Sequence, residues 1–136
     1  MGILGGIFKD RPSKQERAIE EARVYYINDL NEKMRFLKTS TGEYAEAAKK
    51  TFRLFQQVFQ TRFTSPLEYR GKSPEVRRDF CNSLSNALST LKNQKKESEA
   101  LGLSIFLILI SAIELGDSLL LSEVENILVR DFLGER

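Results

Sequence analysis

The feature that most constrains the fold is a strongly apolar stretch of 14 residues, 100–113, which lies between Glu99 and Glu114. It is too short to cross a bilayer as a helix, which takes about 20 apolar residues. A helix that lacks a polar face must be surrounded, either by other helices or by a partner chain. The stretch therefore predicts a buried helix at the centre of a helical assembly.

Amphipathic helices are predicted around this stretch. Three segments carry apolar residues at steps of three and four, the spacing of one helix face. These faces consist of Ile19, Ala22, Tyr26, Leu30, Met34 and Leu37; of Tyr44, Ala48, Phe52, Phe55, Phe59 and Phe63; and of Val76, Phe80, Leu84, Ala87, Leu88 and Leu91. A short last helix ends at Gly134. We predict an all-α fold, a compact bundle of about five helices with an apolar central fourth helix.

Helix starts are indicated by short polar motifs. Capping boxes of the Ser-x-x-Glu type occur at residues 13–16, 40–43 and 122–125. At residues 73–74 a serine precedes a proline, which suits the first position of a helix. The longest break spans residues 64–73, and the polar stretch 93–98 is predicted to be a turn.

The chain length fits one domain. Residues 1–12, with three glycines among the first six, are predicted to be a flexible N-terminal arm, and residues 13–136 a single helical bundle. Net charge is only +2, which does not point to a specific nucleic-acid partner. Residues 110–136 are acidic, with six acidic and two basic groups, against a basic remainder. This asymmetry predicts either charge complementarity within the fold or two faces for two partners.

The absence of histidine excludes several catalytic and metal sites. No Ser-His or Cys-His nucleophile pair and no histidine metal ligand can exist in this chain. The lone Cys81 cannot form a thiolate zinc site, an iron–sulfur cluster or an internal disulfide. We predict a chain with no cofactor that is not an enzyme, and the cytoplasm as its location, since the N-terminus also lacks a signal-peptide pattern.

Two pairs of carboxylates leave an enzymatic alternative open. Glu43 and Glu46 share a helix face, as do Glu75 and Asp79. The pattern resembles the paired acidic sites of magnesium-dependent, all-α nucleotide pyrophosphohydrolases, although the second pair is spaced by four residues rather than three.

The leading functional hypothesis is an interaction module of the adaptor, inhibitor, immunity-factor or chaperone type, which binds a partner protein or a second copy of itself. The predicted partner-binding residues surround the long break and the next helix start: Tyr69, Arg70, Lys72, Arg77 and Arg78. Tyrosine and arginine are enriched among the residues that dominate binding energy.

The N-terminal arm offers a second alternative, contact with a membrane. Its apolar side chains precede several basic residues, a combination that suits an anionic bilayer surface. The membrane-contact candidates are Ile3, Leu4, Ile7 and Phe8.

Overall fold

The structure is a computed structural model that describes residues 13–134 of the 136-residue chain. Within this part 89% of the residues are helical and no strand is present, so the all-α prediction is confirmed. The predicted arm, with Ile3, Leu4, Ile7 and Phe8, lies outside the described residues.

The described chain contains six α-helices rather than five, because the long break holds a short helix of its own. The helices are α1 (Lys14–Thr39), α2 (Gly42–Phe63), α3 (Pro66–Arg70), α4 (Pro74–Asn93), α5 (Glu97–Leu115) and α6 (Ser118–Leu128). A π-helical turn, Val129–Leu133, continues α6 and ends at Gly134, which has a left-handed backbone. The apolar stretch is therefore the fifth helix.

Helix α5 packs against each of the other five helices. The helix is longer than the 14-residue apolar stretch, and its 19 residues could cross a membrane by length and composition, with a mean hydropathy of 1.9. Slightly more than half of that apolar window, 56%, is buried inside the bundle. This burial is typical of the core helix of a bundle, in which neighbouring helices cover the apolar surface.

The closest packing in the core joins α2 to α5. Gly102 of α5 lies directly against the backbone of Ala48 in α2, and a Cβ atom at position 102 would overlap the Ala48 carbonyl oxygen. Farther along, the ring of Phe106 meets Phe52 edge to face, with ring centroids 5.6 Å apart. Glycine at position 102 thus sets the separation at which the phenylalanines of α2 meet α5.

Two of the predicted helix starts are confirmed. The Glu16 N–H donates to Ser13 Oγ at 3.1 Å, and the Val76 N–H donates to Ser73 Oγ at 3.3 Å. Pro74 is the first residue of α4, as expected. The turn predicted within residues 93–98 is also present, between the ends of α4 and α5.

The other two predicted starts are wrong. Thr41 rather than Ser40 caps α2, because the Ser40 hydroxyl already donates to the Leu37 carbonyl at the end of α1. Ser122 lies inside α6, since Asp117 accepts from the Leu119 N–H and starts that helix earlier.

We expect Gly102→Ala to lower the free energy of unfolding by about 1–3 kcal/mol, because α2 and α5 must separate to admit one methyl group. Urea unfolding monitored by circular dichroism measures the change. Gly42→Ala is the matched control: a Cβ atom there meets nothing within 4 Å, and alanine favours a helix. Equal destabilisation by both substitutions would contradict the packing argument.

Candidate functional site

The short helix α3 begins with the same motif as α4. Ser65 accepts a hydrogen bond from the Glu68 N–H at 3.1 Å, and Pro66 occupies the first helical position. The helix has one buried residue, Tyr69. Because residues two apart lie on nearly opposite sides of a helix, burial of Tyr69 turns Leu67 outward, and Leu67 is 84% exposed.

Tyr69 holds α3 against the core through its ring. The ring centroid lies 4.8 Å from that of Phe63, 5.5 Å from Phe59 and 6.0 Å from Phe80. Aromatic pairs in such tilted and edge-to-face arrangements attract one another in addition to burying apolar area. These contacts fix the position of α3 between α2 and α4.

The Tyr69 hydroxyl lies among three polar groups. It is 3.4 Å from each of the Arg77 carbonyl oxygen, Cys81 Sγ and Glu114 Oε2. Burial, followed by the hydrogen bond with Cys81, raises the pKa of Tyr69 far above its ordinary value. The hydroxyl is therefore protonated at neutral pH and is available as a donor.

Two arginines join this region to the end of α5. Arg77 forms a salt bridge with Glu114. Arg70 Nη1 donates to the backbone carbonyls of Glu114 at 2.6 Å and of Ile113 at 3.2 Å, in the last turn of α5. A cation at this end of a helix satisfies unpaired carbonyl groups and is favoured by the helix dipole. Gly116, with φ +74°, then redirects the chain beneath the Arg70 guanidinium.

A second ion pair joins α1 to the start of α6. Arg23 donates to Asp117 Oδ2 through Nη2 at 2.6 Å and through Nε at 3.2 Å. The hydrogen bonds from Arg23 are the main reason that the pKa of Asp117 is lowered. With the Arg77–Glu114 bridge, this pair gives the acidic C-terminal segment partners within the fold.

Beside these contacts lies an apolar groove, which we call the α3/α6 groove. Its volume is about 300 Å³. Its walls are Pro66, Leu67 and Arg70 of α3, Ala112 and Ile113 of α5, and Gly116, Asp117, Ser118 and Leu121 at the start of α6. Pro66 and Ile113 also line a smaller cavity of about 110 Å³, so the apolar surface continues beyond the groove.

The five predicted partner-binding residues fall into two groups. Tyr69 is fully buried, and Arg77 is half-buried in its bridge to Glu114. Arg70, Lys72 and Arg78 are exposed. Tyr69 and Arg77 therefore support α3 from the core side. Arg70 and Lys72 place positive charge beside the groove, and Arg78 places it on the outer side of α4.

The four carboxylates of the enzymatic alternative do not come together. Glu43 is at the start of α2, next to Tyr44, which lines a cleft with Lys92 at the end of α4. Glu75 and Asp79 are at the opposite end of α4, and about 20 Å of helix separates Asp79 from Lys92. Within residues 13–134 no three acidic, cysteine or histidine side chains form a metal-binding group.

Of the residues that line the groove, the sequence pattern identifies only Arg70. Leu67 lies in the predicted break 64–73, although Ser65-Pro66 repeats the signal that marks the start of α4. The roles of Glu114 and Asp117 depend on side chains 37 and 94 residues away in the chain, and no local pattern indicates such pairs.

Comparison with known proteins adds no family. No protein-family model matches this chain, and no curated protein or solved structure matches it significantly.

We expect Gly116→Ala to destabilise the fold by two separable effects. The left-handed backbone costs about 1–2 kcal/mol for a residue with a side chain, and the new Cβ atom would lie 2.5 Å from Arg70 Nη1. In an Arg70→Ala background only the backbone cost should remain, so the two substitutions should be less than additive in urea unfolding. Strict additivity would show that Arg70 does not pack on Gly116.

The ion pair at the start of α6 predicts a pH dependence. Because the folded pKa of Asp117 is below its ordinary 3.8, the pair adds stability above that pH. The added stability is lost as the pH falls through the folded pKa. The difference in unfolding free energy between wild type and Asp117→Asn should therefore shrink from pH 6 to pH 3, and asparagine preserves the helix cap. Arg23→Gln should reduce this pH dependence, because the hydrogen bonds from Arg23 are the largest cause of the lowered pKa of Asp117. A difference that stays constant with pH would contradict the pairing.

Proposed function

We propose that this chain is a non-enzymatic, cytoplasmic interaction module that binds a partner protein through the α3/α6 groove. The observation that carries the proposal is Leu67, an 84% exposed leucine on the rim of an apolar groove whose floor belongs to the core. Isolated exposed leucines are common, but one beside a concave apolar surface resembles an anchor point for a partner side chain.

The charge beside the groove indicates the chemistry of the partner. Between residues 62 and 78 the chain carries five basic and two acidic groups. Arg70 is on the rim, and the exposed Lys72 follows at the end of α3. The partner segment therefore presents an apolar side chain to Ile113 and Leu121, with acidic residues toward Arg70 and Lys72.

The rigidity of the groove also supports a docking role. α3 is only five residues long, yet it is held by the Tyr69 ring and by the two hydrogen bonds from Arg70 to the end of α5. A preformed groove loses little conformational entropy on binding, so more of the contact energy appears as affinity. Tyr69 and Arg77 act here as supporting residues, Lys72 and Arg78 as contact residues, and Arg70 as both.

A photo-crosslinking amino acid at position 67 tests this proposal in cells. We expect a discrete adduct with one partner, identified by mass spectrometry, that becomes weaker when Lys72→Glu is added. The matched control is position 54, because Leu54 is also an exposed leucine, 57% accessible, but lies on α2 away from the groove. An adduct with a second copy of the chain would identify a homodimer as the partner. No adduct, or the same adducts at both positions, would refute the groove as the docking site.

A further inference from the structure

A second cleft lies at the opposite end of the bundle, where α1 and α4 end and α2 and α5 begin. Its volume is about 470 Å³, within the range of small-ligand sites. The segments that meet at this end, 33–50 and 92–99, contain seven of the ten lysines of the chain together with four acidic residues. Three of them, Lys33, Lys92 and Lys95, line the cleft itself.

The lysines of the cleft differ in their pairing. Lys33 donates to Asp29 at 2.7 Å. Lys92 and Lys95 form no salt bridge within residues 13–134, and both are exposed. Glu97 is the single carboxylate among the described residues that line the cleft. An anion that enters the cleft would therefore find two ammonium groups without a competing carboxylate bound to them.

Aromatic rings form part of the same cleft. Phe36 of α1 is 51% exposed and meets Tyr44 edge to face, with ring centroids 5.6 Å apart. The edge-to-face contact fixes the orientation of Phe36, and much of the ring is open to solvent. Burial and the charge of Glu97 raise the pKa of Tyr44, so its hydroxyl remains a hydrogen-bond donor at neutral pH.

We propose that this cleft binds a nucleoside phosphate, either a free nucleotide or a short single-stranded nucleic acid. The base stacks on the exposed part of Phe36, and the phosphates contact Lys92 and Lys95. Exposed rings interleaved with lysines are the recurring means of holding single strands without reading their sequence. A purely acidic peptide would use the lysines equally well but has no flat ring to stack on Phe36. The site is independent of the α3/α6 groove, which lies at the other end of the bundle.

Fluorescence anisotropy with a labelled ten-residue oligothymidylate, and a thermal-shift titration with ADP, test the proposal on the full chain at low salt. Binding of the oligonucleotide alone identifies a strand, and binding of ADP as well identifies a nucleotide site; either result supports the proposal. We expect Lys92→Glu/Lys95→Glu to weaken binding at least tenfold. The salt dependence of binding should also become weaker: the slope of log association constant against log salt concentration should be less negative by about 1.4. Each lost phosphate contact on a single strand contributes about 0.7 to that slope.

Two controls separate this site from general attraction to a basic protein. Lys72→Glu/Arg78→Glu makes the same change of net charge at the other end and should leave binding unchanged. Phe36→Leu keeps the apolar bulk but removes the ring. It should weaken oligonucleotide binding about fivefold or more, the equivalent of one stacked base, and leave binding of inorganic polyphosphate unchanged.

Three outcomes would overturn the proposal. The first is no binding of either probe at low salt. The second is equal weakening by the two double variants, which would indicate unspecific charge attraction. The third is binding of a polyglutamate peptide as tight as that of the oligonucleotide and insensitive to Phe36→Leu, which would assign the cleft to acidic peptides. Circular dichroism of each variant confirms that loss of binding is not loss of fold.

Discussion

The separation between α2 and α5 determines how the rest of the bundle is arranged. At Gly102 the two helices touch through backbone atoms, and the absence of a side chain lets the rings of Phe52 and Phe106 meet on the next turn. α2 covers one side of α5. Because α5 has almost no polar surface, the other helices must cover its remaining sides. Packing, rather than helix propensity, therefore sets the positions of α1, α4 and α6.

In addition to this packing, two ion pairs stabilise the end of the bundle that contains α3. Arg77 with Glu114 and Arg23 with Asp117 join segments that are far apart in sequence. Half-buried pairs of this kind contribute modest stability, but they fix the relative positions of helix ends. A five-residue helix could not hold its place alone. Its position, and with it the outward direction of Leu67, depends on these contacts and on the Tyr69 ring.

The sequence predicted the fold class and most of the core, because helix periodicity is a local property. The stripe Phe52, Phe59 and Phe63 is buried as its spacing implied. The candidate site was harder to predict, because five residues of helix are too few to show a periodic pattern. Sequence alone therefore does not tell which apolar side chains of α3 face the core. The sequence pattern favours Tyr69 as a contact residue, but Tyr69 is buried, whereas Leu67, two residues earlier, is exposed. Which of the two faces inward depends on α3 being helical and on the distant Glu114.

The contact between Phe132 and Phe52 limits where the chain can be truncated. Their rings meet edge to face at 5.4 Å, so the π-helical turn at the end of the chain covers a residue made 80 positions earlier. A chain truncated after Leu115 would lack both α6 and this turn. The Phe52 ring and the side of α5 that α6 covers would then face solvent, and an exposed apolar surface of this kind promotes aggregation.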